Sequence, residues 1–255
     1  MKPNPSTLLV LSIAVLSLSL GGCNPSAKPV EPGSGSGTGT AGKDGKGEGS
    51  GSSTPTVESI SAELKHDAFA YNGFEGNKKL TYLFSQYKGE TPEAGSQISE
   101  PKSASPTAAA FAVKRSGSMD KLGDEEWEIR PDGIYLISTE QGSPAKPVRL
   151  MPSVVHVGTE WNYDYVLTTP TGQATNFKGK AKALQEVKLK VKAGEFDTML
   201  VSDTAVMDKG GTKGTVSGKT WYAKGIGVVQ MKVELKDNTG KIVSSTIELS
   251  EIGDK

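Results

Sequence analysis

From Leu80 onward, apolar side chains recur at every second position, the period of a pleated strand rather than of a helix. Leu80, Tyr82 and Phe84 open the pattern, and residues 109–114 continue it. In 125–130, Trp127 and Ile129 share one face, with Glu126, Glu128 and Arg130 on the other. Pro131-Asp132-Gly133 then supplies a turn, because proline presets φ and glycine takes the left-handed position. Residues 134–139 return as the hairpin partner. Trp161, Tyr163, Tyr165 and Leu167 form an aromatic stripe at strict spacing two. Farther on, Ala181, Ala183, Val187, Leu189 and Val191 hold odd positions, while Lys178, Lys180, Lys182, Lys188, Lys190 and Lys192 hold even ones. Strands at 196–207, 215–223 and 228–235 follow. Asp237-Asn238-Thr239-Gly240 turns the chain into a last strand carrying Val243, Ile247 and Leu249.

Three stretches depart from this texture. Val57, Ile60 and Leu64 stand at helical spacing, so residues 57–70 predict a short helix with Thr56 as its cap. Residues 88–107 are rich in Pro, Ser and Glu and predict a disordered or surface excursion. Residues 142–158 contain three prolines and predict an extended crossing outside the ladder. About ten strands with turn residues at short intervals give the fold class. It is mainly β: a single curved antiparallel sheet, a half-barrel or open barrel of meandering strands.

The domain's expected hub is the run 219–231, two strands joined at a corner. Gly225 and Gly227 are the structural corner, with Trp221 expected to fill the curve. Trp161, Tyr163, Tyr165 and Trp221 are expected in the core, because large aromatics dominate the apolar area of small β domains. Their alternative role is to line a ligand cavity. A cavity bounded by Trp161, Tyr163 and Trp221 would favour that role.

The N-terminal fifth has a different character. Residues 8–20 (LLVLSIAVLSLSL) are apolar but too short for a comfortable membrane span, and they suit the core of a secretory signal. The run ends in Leu20-Gly21-Gly22-Cys23, which resembles the bacterial lipobox; Cys23 is the sole cysteine. The resemblance implies a signal peptide at 1–22 and lipidation at Cys23. It also implies membrane attachment through acyl chains, each buried CH₂ contributing about 0.8 kcal/mol. Asn24, rather than aspartate, follows the cysteine, which by the same resemblance implies the outer membrane in a two-membrane bacterium. Residues 23–56 read as a lipid-anchored, disordered Gly/Ser-rich linker with an end-to-end distance on the order of 30 Å. The β domain then occupies 57–255.

Charge and motif content restrict the chemistry. The 255 residues carry 29 basic and 29 acidic side chains, a neutral balance that argues against nucleic acid as a partner. Gly37-Thr38-Gly39-Thr40-Ala41-Gly42 matches a dinucleotide fingerprint in letters, but neither strand nor helix flanks it. Gly218-Lys219-Thr220 imitates the end of a P-loop, yet Lys213 stands where that loop needs glycine. His66 and His156 are the two histidines, and His156 between valines reads as a partly buried packing residue. Asp208, Asp120 and Asp124 lack the alternating spacing of a calcium loop. No metal, cofactor or catalytic set is expected. The lysine stripe reads as a solvent-facing strand that resists edge-to-edge association.

Three further segments carry a family resemblance. Val157-Gly158-Thr159-Glu160-Trp161 is one, and Val191-Lys192-Ala193-Gly194-Glu195-Phe196 is the second. Thr220-Trp221-Tyr222-Ala223-Lys224-Gly225-Ile226-Gly227-Val228-Val229 is the third. Together they resemble the TapB-like family of exported bacterial proteins, over about 153–252. Lys224 stands where that motif carries proline. The family implies a shared domain of unknown function and supplies no catalytic residues. More loosely, the layout is similar to half-barrel lipoprotein carriers such as LolA and LppX. The sequence therefore predicts an envelope lipoprotein whose β domain binds an envelope protein or a lipid-like, amphipathic ligand without catalysis. A lipid or lipoprotein carrier is the alternative, and a hydrolase a more distant one.

Overall fold

The computed structural model of the chain describes residues 9–11, 16–18, 55–75, 78–87 and 89–255. Cys23 and residues 24–54 of the linker lie outside the described residues. Near the N-terminus, β1 (Leu9–Leu11) pairs antiparallel with β2 (Leu16–Leu18) in a separate small ladder. Among the described residues no helix is long and apolar enough to cross a membrane.

The domain is one antiparallel sheet of 13 strands, more than the ten or so expected. One meander comprises β3 (Lys78–Ser85), β4 (Glu93–Ala104), β5 (Ala109–Gly117), β6 (Glu125–Arg130) and β7 (Gly133–Thr139), with β9 (Val148–Pro152) at its edge. Short β8 (Ser143–Pro144) lies at the opposite edge of the sheet, against β10 (Glu160–Thr168). From β10 the second meander runs through β11 (Ala174–Val191), β12 (Gly194–Lys209), β13 (Thr212–Ala223), β14 (Gly227–Lys236) and β15 (Ile242–Asp254). Pairing of β15 with β3, Thr246 opposite Ser85, joins the two meanders. The sheet thus curls into a nearly closed barrel in which β9 faces β10, because β8 covers only Leu167 and Thr168 at the end of β10. Trp161 Nε1 donates to Leu150 O across that seam at 2.6 Å, a side-chain bond where a ladder would otherwise run.

The interior follows the period-two pattern. Phe111, Ile129, Ile134, Leu136, Leu167 and Leu249 are essentially inaccessible. Burial of each such side chain contributes about 1.5–3 kcal/mol. Tyr82 is buried too, and its hydroxyl donates to Val228 O at 3.0 Å.

The segment before β3 supplies the rest of the core. The expected helix over 57–70 is instead two 3-10 turns, Val57–Ser59 and Ala62–Leu64, followed by the five-residue α1 (Asp67–Tyr71). Thr56 occupies the first cap position but makes no side-chain capping bond. His66 caps α1: its Nδ1 accepts from Phe69 N at 3.3 Å. Ile60, Leu64 and Phe69 are buried, and Phe69 and Phe74 pack against Phe111.

Two expected loops are strands. β4 runs through the polar stretch 88–107 because β3 and β5 pair with it on both sides, so backbone partners replace apolar side chains. Its Pro101 is tolerated because pairing with β3 stops at Ile98, leaving Pro101 with a partner on one side. The proline-rich stretch 142–158 contains β8 and β9, and both lie at edges of the sheet, where a missing N–H breaks no second ladder.

The glycine corner is a hairpin turn between β13 and β14, with Gly225 at φ 73° and Gly227 at φ 103°. It docks on α1: Gly225 N donates to Ala70 O at 2.9 Å. Lys224 donates to Asp67 Oδ1 at 2.7 Å and lies 5.2 Å from the Tyr71 ring centre. A Cβ on Gly227 would press on Asn72 O, 3.3 Å away, from a backbone conformation that side chains resist. Gly227→Val is expected to destabilise the domain by roughly 1–3 kcal/mol, read from a urea melt. An unchanged transition midpoint would refute the constraint.

Trp221 does not fill the curve. Alternation along β13 turns Gly218, Thr220 and Tyr222 inward and leaves Trp221 half-buried on the outer face. There Lys232 Nζ lies 5.7 Å from its ring centre.

Candidate functional site

The site lies just inside the seam. Trp161 and Tyr163 enter it from β10, Asp203 from β12, and Thr220 and Tyr222 from β13. Trp127 of β6 and Asn72, just after α1, close the other side. They bound a chamber of about 40 Å³. Two glycines make it possible. Gly218 sits directly across the ladder from Asp203, and a Cβ there would overlap the carboxylate Oδ1. Gly179 sits opposite Tyr163, and a Cβ there would overlap the phenol ring. The letters that imitate a P-loop at Gly218 therefore have a packing reason: the residue is bare to admit a side chain from the next strand.

The polar groups around the chamber differ in how they are satisfied. Trp161 Nε1 is committed to Leu150 O and Trp127 Nε1 to Glu125 Oε2 at 3.2 Å, so the two indoles bring rings rather than free donors. Asn72 Nδ2 donates to Ala68 O at 2.9 Å. Tyr222 interacts with the Thr220 hydroxyl, and burial holds its phenol neutral far above the usual range. Burial and the neighbouring Asp203 charge do the same to Tyr163. Asp203 has no ion-pair partner among the described residues. It remains partly accessible, yet loss of hydration pushes its carboxyl up to about 6.

The expected site residues separate here. Trp161 and Tyr163 line the chamber, while Tyr165 is buried core, stacked on Phe177 with ring centres 5.1 Å apart. Trp221 lies outside, and Tyr222 takes the place expected for it. Asp203, Tyr222 and Trp127 are additions. Asp203 had a signal: it stands in phase with the inward Val201, Ala205 and Met207, where an acid is out of place.

The other candidates are spent on structure or surface. His66 Nε2 meets Arg130 O at 2.9 Å, so both its ring nitrogens are engaged. His156 is exposed rather than partly buried, because its short loop projects from the barrel, and it pairs with Thr159. Asp124 accepts from Arg115 N and Lys114 Nζ, and Asp208 from Gly211 N. Among the described residues no three His, Cys, Asp or Glu side chains converge as metal ligands. The lysines of β11 point outward, and several face acids on the flanking strands: Lys182 with Glu160 at 2.6 Å, Lys178 with Asp164 at 3.6 Å, Lys188 with Asp197 at 3.5 Å. Such exposed pairs contribute about 0–1 kcal/mol each.

Residues 179–248 match a family described as DUF3108-like. The chain is similar to that family from mid-β11 into β15. The matched span holds the β11–β12 hairpin and the corner, together with Gly179, Asp203, Gly218 and Tyr222 of the chamber. The fold is similar to that of a Bacteroides fragilis protein described as exported with a YmcC-like fold. That likeness has 12% identity and a TM-score of 0.52, over 72% of this chain and 99% of the other. A protein described as a lipoprotein, from Parabacteroides distasonis, aligns at 13% identity and a TM-score of 0.49, over 72% of this chain and 96% of its own. No curated protein matches the chain.

Proposed function

We propose that the chain is a TapB-like bacterial envelope lipoprotein, anchored through Cys23, whose barrel domain is a non-catalytic binding module. Attachment to the outer membrane fits the leader, the Leu20-Gly21-Gly22-Cys23 run and Asn24. The observation that carries the binding reading is the seam chamber. At that place a carboxylate, a hydroxyl and four aromatic rings meet, and two glycines make room for the Asp203 and Tyr163 side chains. A half-barrel carrier would need a hollow of acyl-chain size. The chamber's 40 Å³ falls far short of the roughly 300–1,000 Å³ of drug-sized sites, and the hollows of about 670 and 710 Å³ elsewhere on the domain are rich in charged side chains, unsuited to an acyl chain.

The test is fractionation followed by native mass spectrometry of the full chain produced in a bacterial host. Wild type is expected in the membrane fraction and Cys23→Ala in the soluble one. The released protein is expected to carry a small adduct or an envelope protein. An alkaline-resistant membrane association of Cys23→Ala would remove the anchor. A retained mass of lipid size would favour the carrier.

A further inference from the structure

The seam chamber has an anion and lacks a cation. No lysine, arginine or histidine lines it, and Asp203 has no ion-pair partner among the described residues. An ionised carboxylate in such a place is unfavourable unless something positive joins it. Each neighbouring strand could have placed a lysine there. Instead, Lys178, Lys180 and Lys182 of β11 and Lys219 of β13 all point outward. Inside the chamber the titratable groups that face Asp203 are the phenols of Tyr163 and Tyr222, both held neutral. Beyond it Asp203 also borders a hollow of about 260 Å³ whose charged residues, Glu160, Lys180 and Lys182, stand at exposed positions of β10 and β11, with Lys182 paired to Glu160 at 2.6 Å.

We propose that the chamber binds the ammonium head of a small organic amine, with Asp203 as counter-ion and the rings of Trp127, Trp161, Tyr163 and Tyr222 around it. This assignment rests on the binding reading above and names its ligand chemistry. Aromatic rings attract cations through their quadrupole, an attraction that strengthens when both are desolvated. The committed indole N–H groups of Trp127 and Trp161 keep those rings from acting as competing donors. The volume of about 40 Å³ is a few water-sized spheres, enough for a methylammonium group or the tip of a longer primary amine. A hydrated divalent metal suits the chamber poorly. Such ions want six or more oxygen ligands, and here one carboxylate stands among aromatic carbon.

Methylammonium chloride is the probe, titrated into the full chain with tryptophan fluorescence as the readout. Trp127 and Trp161 report on the chamber, and Trp221 on the outer wall serves as the unaffected reference. A saturable change in the millimolar range is expected at pH 8, unaltered by Trp221→Phe. Affinity is expected to fall about tenfold per unit as pH drops below 6, because the carboxyl then takes up its proton. Asp203→Asn, checked for unchanged circular dichroism, is expected to lose tenfold or more. Equal responses to methylammonium and potassium chloride would overturn the amine assignment. A neutral alcohol that saturates the chamber while methylammonium does not would also overturn it, and would leave the binding reading in place. No saturation by either probe at ~100 mM would count against both.

Discussion

Glu125→Ala is expected to destabilise the domain by about 3–5 kcal/mol, the largest single loss anticipated outside the apolar core. Glu125 Oε2 accepts from Arg115 Nη2 at 2.7 Å, and the two side chains are 0% and 4% exposed. The same oxygen accepts from Trp127 Nε1. Arg115 is otherwise held by neutral groups, Nε by Gln97 Oε1 at 3.1 Å and Nη1 by Gly123 O. Removing the carboxylate therefore leaves a guanidinium buried without its counter-charge and an indole N–H without its acceptor. The double replacement Arg115→Met/Glu125→Leu is expected to recover much of the loss, because it removes both charges and keeps the volume. Urea denaturation at pH 7 measures both. If the alanine variant's midpoint coincided with that of wild type, the pair would have no such role.

Asp203→Asn is expected to act in the opposite direction and to depend on pH. In the folded chain burial raises the Asp203 carboxyl from 3.8 to about 6. Below pH 3.8 the group is protonated in both states and favours neither. Between 3.8 and 6 the unfolded chain releases the proton while the folded chain keeps it, so stability falls as pH rises. Above 6 the loss is complete and amounts to roughly 2–3 kcal/mol. Asparagine has no such transition. The variant should therefore match wild type near pH 4 and exceed it by that amount at pH 8, as urea midpoints at the two pH values would show. An identical gain at both would mean that something other than ionisation separates the two proteins.

Much of the barrel was legible from alternation alone. Ile129, Trp161 and Leu167 occupy the inward positions that their spacing assigns them, and the turns at Gly133 and Gly240 fall where their residue types require. What misled was composition. Residues 93–104 look like a loop because their side chains are polar, but a strand paired on both sides draws its stability from backbone partners that no residue type announces. The prolines at 144 and 152 argue against a ladder only in a central strand, and the sequence does not say which strands are edges. Trp221 and Tyr222 show a further limit. Two adjacent aromatics must point to opposite faces, and only the register of the neighbouring strands decides which goes in. The chamber was half visible for the same reason. Trp161 and Tyr163 stood out as a stripe, whereas Asp203 meets them through pairings between β10, β11, β12 and β13.

The pairing that joins the meanders brings Lys78 against Asp254 and Ser85 against Thr246. One edge of β3 therefore has no partner until the most distant part of the domain has been made. Each meander can zip locally from hairpin to hairpin, but the step that unites them is a long-range closure with a large entropic barrier. A chain emerging from its N-terminus thus stays unsealed and threadable almost to its last strand. Removal of β15 would leave two sheets with open flanks rather than a smaller barrel.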